Sequence, residues 1–205
     1  MKIALIVLAL LICGVPAPGV PFFHPLLADY YTAKFTITFS AGVGSKSSVR
    51  EHDILCNRSY WQGIISSNAA TTGMQMTKGD LNGTVVFEDI KSGKLVSHTY
   101  QNDKCTSGTP LEGFSSLNIV HDLRKKADPV GICSSPSGRF HLPRPGWSWT
   151  MQHPLWGNIS LCTDLTSMKF YDMTANSEQY GKLYLYVDEW ITETTDALLK
   201  NPCEN

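Results

Sequence analysis

The stretch "GWSWTMQHPLWGNISLC", Gly146 to Cys162, holds three of the chain's five tryptophans, a glycosylation sequon and a cysteine. Read with a period of two, it places Trp147, Trp149 and Met151 on one face and Ser148, Thr150 and Gln152 on the other, as in a half-buried β-strand. "HPLWG" turns the chain. "NISLC" then alternates again, and a glycan on Asn158 would force Asn158 and Ser160 outward and Ile159 and Leu161 inward. The two strands can pair with the tryptophans, Ile159 and Leu161 on a shared inner side. Burying an indole of about 200 Å² contributes roughly 5 kcal/mol at about 25 cal/mol per Å², so inward is the default. Plain core, the lining of a ligand cavity and an exposed sugar-binding platform are the three readings of that face.

Most of the chain repeats this period. "KFTITFSA" sets Phe35, Ile37, Phe39 and Ala41 against Thr36, Thr38 and Ser40. "EHDILC" and "SYWQGIISS" read as shorter strands. "GMQMTK", the turn "GDLNG", "TVVFEDI", the turn "KSG" and "KLVSHTY" read as an antiparallel meander ending near Cys105. In "GKLYLYVDEW", Leu183, Leu185 and Val187 share one face and Tyr184, Tyr186 and Trp190 the other, so the strand is covered on both sides. Residues 106–145 are rich in Gly, Pro and Ser and read as functional loops, with "SLNIVHDL" and "GRFHL" as the candidate regular pieces. "TETTDALLK" is the one convincing helix start, capped by Thr192 or Thr194. The fold class is all-β with minor helix, built of antiparallel strands.

The amino terminus, Lys2 followed by an apolar run from Ile3 to Cys13 and then "GVPAPGVP", reads as a secretory signal peptide over 1–19, cleaved after Gly19. Residues 20–205 then form a single domain. The run is shorter than the roughly 20 apolar residues a bilayer requires, so the chain is not expected to span a membrane. Removing Lys2 leaves 16 basic and 18 acidic side chains, a net charge of −2. That offers no grip on nucleic acid or anionic lipid. Sequons at Asn57, Asn82 and Asn158 agree with export, either to the extracellular space or to the endolysosomal lumen.

Beyond the leader lie five cysteines: Cys56, Cys105, Cys133, Cys162 and Cys203. None forms a CxxC, so disulfides are the natural reading in an exported chain. An odd count leaves one thiol free, buried or linked to another molecule. A homodimer, disulfide-linked or non-covalent, is one consequence. No GxSxG, phosphate-cradling loop or HExxH occurs; "GDLNG" lacks the later acidic ligand of a calcium loop. His121, Asp122 and Ser116 are a weak hint of a hydrolase. No cofactor or metal is expected.

In layout the chain resembles the ependymin-related secreted glycoproteins, and more broadly the LolA-like fold. The points of likeness are the early amphipathic strand from Phe35 to Ala41, the meander ending in Cys105, the tryptophan strand, Cys162 followed by "MKFYD", and the closing "NPC" at Cys203. The resemblance implies curved antiparallel sheets forming a half-barrel or cup around a hydrophobic pocket. It implies a lipid or other apolar small molecule as partner, with Phe35, Ile37, Phe39, Trp147, Trp149, Met151, Tyr184 and Tyr186 lining the cavity. It also implies a Cys105–Cys203 bridge, with Cys56–Cys162 as the second pair. The alternatives are an extracellular adhesion or matrix glycoprotein without ligand, and a hydrolase.

Overall fold

A computed structural model describes residues 23–40, 58–79, 81–109, 115–135, 144–177, 181–191 and 195–204, with the side chains of 39–40 and 58–60 not described. The leader, "EHDILC", "GRFHL", Cys56 and Asn57 lie outside these residues.

In chain order the elements are β1 (Tyr31–Ser40), β2 (Arg58–Ser67), β3 (Thr71–Lys78), β4 (Val85–Lys91), β5 (Lys94–Gln101), β6 (Lys104–Gly108), α1 (Ser116–Lys126), β7 (Asp128–Ser135), β8 (Arg144–His153), β9 (Gly157–Thr163), β10 (Phe170–Ser177) and β11 (Gly181–Ile191), with a 3₁₀ turn at Asp196–Leu199. All the strands pair antiparallel in one continuous sheet of order β6-β5-β4-β3-β2-β1-β11-β10-β9-β8-β7. The class is all-β with a minor helix. Where the sequence suggested more than one sheet, the closing strand β11 pairs with β1 and joins the two meanders edge to edge.

Local chemistry sets the turns. Ser92 and Gly93 both take positive φ between β4 and β5, as do Asn102 and Asp103 between β5 and β6. Two consecutive left-handed residues make the tight hairpin whose twist suits the flanking strands. The Asn-Asp turn extends the meander by one more strand, so Cys105 lies on β6 itself rather than at the meander's end.

Three sequence expectations are corrected. The stretch 106–145, read as loops, carries the end of β6, all of α1 and β7. Ser115 caps α1, accepting from the Asn118 amide at 3.1 Å, and the basic last turn of Arg124, Lys125 and Lys126 suits the helix dipole. Near the carboxyl end the described residues form only a 3₁₀ turn, whose N-cap Thr195 makes no side-chain cap, while Thr192 and Thr194 lie outside the described residues. Trp190 does not share the outer face of β11. The β1–β11 register shifts between Lys34 and Phe35, passing over Asp188. This bulge rotates Trp190 to the inner side, where it meets Tyr31 and Phe170 edge-on at 5.4 Å each.

Two disulfides join described residues. Cys105–Cys203 ties the carboxyl-terminal segment to β6, and Cys133–Cys162 ties β7 to β9 across β8. The expected Cys56–Cys162 pair is therefore replaced. Cys133 becomes the partner because its stretch is a strand, and Gly146 opposite it on β8 leaves room for the sulfurs. A Cβ on Gly146 would collide with the Thr163 carbonyl and lie 3.4 Å from Cys133 Sγ.

Candidate functional site

The inner face of the sheet holds two clusters of buried side chains. One centres on Trp147, Trp149, Ile159 and Leu161, the other on Tyr31, Phe35, Ile65 and Val187. Between them lies a cavity of about 200 Å³. Its wall takes Ile37 from β1, Ile65 from β2, Met74 from β3, Leu183 and Leu185 from β11, Met173 and Ala175 from β10, and Ile159 and Leu161 from β9. Strands β3 and β9 stand five inter-strand steps apart, roughly 24 Å in a flat sheet. For both to border one small space, the sheet must curl strongly. The result is a cup.

Helix α1 covers it, contributing Ile119, Val120, Leu123 and Ser116. Its attachment is polar at both ends. Glu88, buried on β4, accepts at Oε2 from Ser115 Oγ (3.1 Å), Ser116 Oγ (2.8 Å) and the Leu117 amide (3.2 Å). The first turn of α1 has no acidic residue of its own. Glu88 supplies from another strand the negative charge that a helix amino terminus favours. At the other end Arg124 donates to the carbonyls of Leu27 (2.9 Å) and Ala28 (2.8 Å) and pairs with Asp29 at 2.6 Å. This anchors the segment before β1, whose Leu27 is also on the wall.

Apart from Ser116, polarity at the wall is confined to Tyr31 and Trp156. Burial pushes the Tyr31 phenol up to about 12, against smaller opposing effects of a hydrogen bond with Ser67 and the Arg124 charge. It is therefore neutral in any physiological medium. A space so lined favours an apolar occupant. It exceeds the roughly 150 Å³ of apolar cavities that stay dry and accept benzene.

The residues expected on the wall are dispersed. Ile37 lies on it. Phe35, Trp147, Trp149 and Met151 are buried on the same inner face but packed as core beside the cavity. The indole polar groups are satisfied by protein: Trp149 Nε1 donates to Thr163 Oγ1 at 2.9 Å, and Trp147 Nε1 to the Leu165 carbonyl at 3.1 Å. No ligand group is needed for either. Tyr184 and Tyr186 are on the outer face, rings parallel and 6.1 Å apart, with Lys182 Nζ 4.8 Å from the Tyr184 ring. Alternation along β11 sends them outward because Leu183 and Leu185 point in. The Phe39 side chain is outside the described residues. Sequence reasoning missed α1's contribution altogether, although the Ile119, Val120 and Leu123 spacing in "SLNIVHDL" is that of one helical face.

Ser116 and His121 do not form part of a triad. Ser116 Oγ donates to Glu88, while His121 is exposed five residues along α1. Asp122 pairs with Lys126 at 3.0 Å. Of the sequon asparagines, Asn82 and Asn158 are exposed; Asn158 Oδ1 accepts from Thr150 Oγ1 at 2.6 Å. No described helix is long and apolar enough to cross a membrane.

No protein family and no curated protein matches the sequence. Among solved structures, the chain is similar to an uncharacterized conserved protein from Thermus thermophilus, at 11% identity and a TM-score of 0.49, covering 85% of this chain and 87% of that one. It is also similar to a LolA superfamily protein from Nitrosomonas europaea (8%, TM-score 0.39, 84% and 90% covered). A third is a putative outer membrane lipoprotein-sorting protein domain from Vibrio parahaemolyticus (9%, TM-score 0.40, 84% and 90% covered).

Proposed function

We propose that this chain is an exported carrier that binds a lipid tail or similar apolar group between the curled sheet and α1. The single observation that carries the reading is the cavity itself, about 200 Å³ walled almost wholly by aliphatic and aromatic side chains. Binding is passive desolvation. Each methylene transferred from water contributes about 0.8 kcal/mol, so a short tail recovers the cost of ordering it. The volume suits one slender chain or the end of a longer one rather than a bulky ring system. Ser116, beside the buried Glu88 carboxylate, is the polar group on the wall best placed to orient a ligand's head.

The same proposal includes removal of residues 1–19, glycans on Asn57, Asn82 and Asn158, and kinship with ependymin-related, LolA-like proteins. The disulfides Cys105–Cys203 and Cys133–Cys162 and the exposure of Asn82 and Asn158 support it. The test is native mass spectrometry of protein secreted from a eukaryotic host. A stoichiometric apolar adduct is expected, lost or diminished in Ala175→Leu, which fills the wall at β10. Adduct-free protein that also fails to take up added fatty acid would refute the carrier reading.

A further inference from the structure

Six of the eight large apolar side chains exposed among the described residues fall within the three adjoining stretches 23–26, 130–132 and 165–168. Phe23 and Leu26 precede β1, Val130 and Ile132 are on β7, and Leu165 and Met168 are in the β9–β10 loop. Phe23 is 90% exposed, Ile132 65% and Leu165 56%. Contacts bind the segments together. His24 Nδ1 donates to the Ala127 carbonyl just before β7 at 2.9 Å, and the Ala28 amide to the Met168 carbonyl at 2.9 Å. Trp147, paired with Ile132, holds the Leu165 carbonyl. Leu27 and Phe170, each within two residues of this rim, are on the cavity wall. The greasy rim and the greasy interior are therefore neighbours.

We propose that this rim docks the protein onto a lipid bilayer surface, so that an apolar ligand passes between membrane and cavity without crossing water. The choice of a bilayer over other apolar partners rests on the carrier reading. Three observations favour it over a second copy joined through the sheet edge. Pro129 lacks an amide hydrogen, and the β7 register shifts between Pro129 and Gly131, both of which blunt an edge strand. The exposed side chains come from three segments rather than one flat face, which suits a deformable apolar medium. Charges on and beside these segments balance, Asp29, Asp122, Asp128 and Asp164 against Arg124, Lys125, Lys126 and Lys169, with Arg124–Asp29 and Lys126–Asp122 paired directly. A rim without charge excess fits a zwitterionic surface, held by burial of apolar area.

Flotation of the full chain with phosphatidylcholine vesicles tests this. Wild type should float, with partition unchanged from low to high salt. The triple variant Phe23→Ser, Ile132→Thr, Leu165→Ser, all at exposed positions, should lose about tenfold or more in partition while keeping the wild-type melting temperature. A wild type that stays in solution would overturn the proposal, as would binding abolished by salt. So would a triple variant that floats equally well, or a wild-type dimer that the triple variant dissociates. Ala175→Leu separates the two readings: it should float normally while losing the adduct. Failure to float with the adduct retained sinks the docking surface alone; floating without an adduct sinks the carrier reading alone.

Discussion

Glu88 and Tyr31 show how single polar groups govern an apolar site. Glu88 is buried and satisfies three donors at the start of α1. Hydrogen bonds to a charged group are worth about 1.5 to 3 kcal/mol each, less than additively, and orphaned buried donors add a penalty. Glu88→Ala should therefore lower unfolding free energy by about 2 to 4 kcal/mol in a urea titration and loosen α1 from the cup. An unchanged midpoint would show that the helix is held elsewhere. Tyr31 works through its proton. Its folded pKa of about 12 lies above the ordinary 10, so its contribution is complete below about pH 10 and is lost as pH rises through about 12. That loss should reach about 2 to 3 kcal/mol at 1.36 kcal/mol per unit. Comparing wild type with Tyr31→Phe between pH 9 and pH 12 isolates it: the wild type should lose more stability across that window.

Among elements, the edges of the sheet carry the covalent ties. Cys105–Cys203 closes a separation of 98 residues and Cys133–Cys162 one of 29. Loop-closure entropy puts their contributions near ~4.7 and ~3.6 kcal/mol. Replacing Cys105 and Cys203 with Ser should accordingly destabilise more than replacing Cys133 and Cys162, by about 1 kcal/mol in chemical denaturation. The longer tie also holds the 3₁₀ turn onto the outside of β3, where Gly73 has no side chain and a Cβ would collide with the Leu198 carbonyl. If the shorter bridge proved the costlier to lose, strand packing rather than chain entropy would dominate. The meander from β3 to β5 was legible because alternation and turn residues agree there. The second bridge was not legible, since β7 exists only through its pairing with β8: "DPVGICSS" has a proline, a glycine and little alternation. Trp190 was misplaced for a related reason. A single bulge residue inverts every face beyond it, and sequence periodicity carries no mark of where one falls.

On the scale of the molecule, a sheet in which strands as far apart as β3 and β9 border one space explains why the fold could be read more fully than the site. Inward and outward faces follow from alternation, so the tryptophan strand was placed on the correct side. Which inward residues meet the cavity and which meet each other depends on curvature and on where α1 lies, neither of which is written in a strand's period. Trp149 and Leu161 are directly paired on one face, yet Leu161 is on the wall and Trp149 is packed against its neighbours. The cavity's size then makes a graded prediction. A series of straight-chain alcohols should bind about fourfold more tightly per added methylene, the equivalent of about 0.8 kcal/mol, until the tail outgrows the space and the gain stops. Titration calorimetry across the series reads that break point directly. Ala175→Leu should move the break to a shorter chain without changing the slope before it, because the remaining wall is unaltered. A series flat from its first member, or a break that Ala175→Leu leaves in place, would mean that tails bind somewhere other than beneath α1.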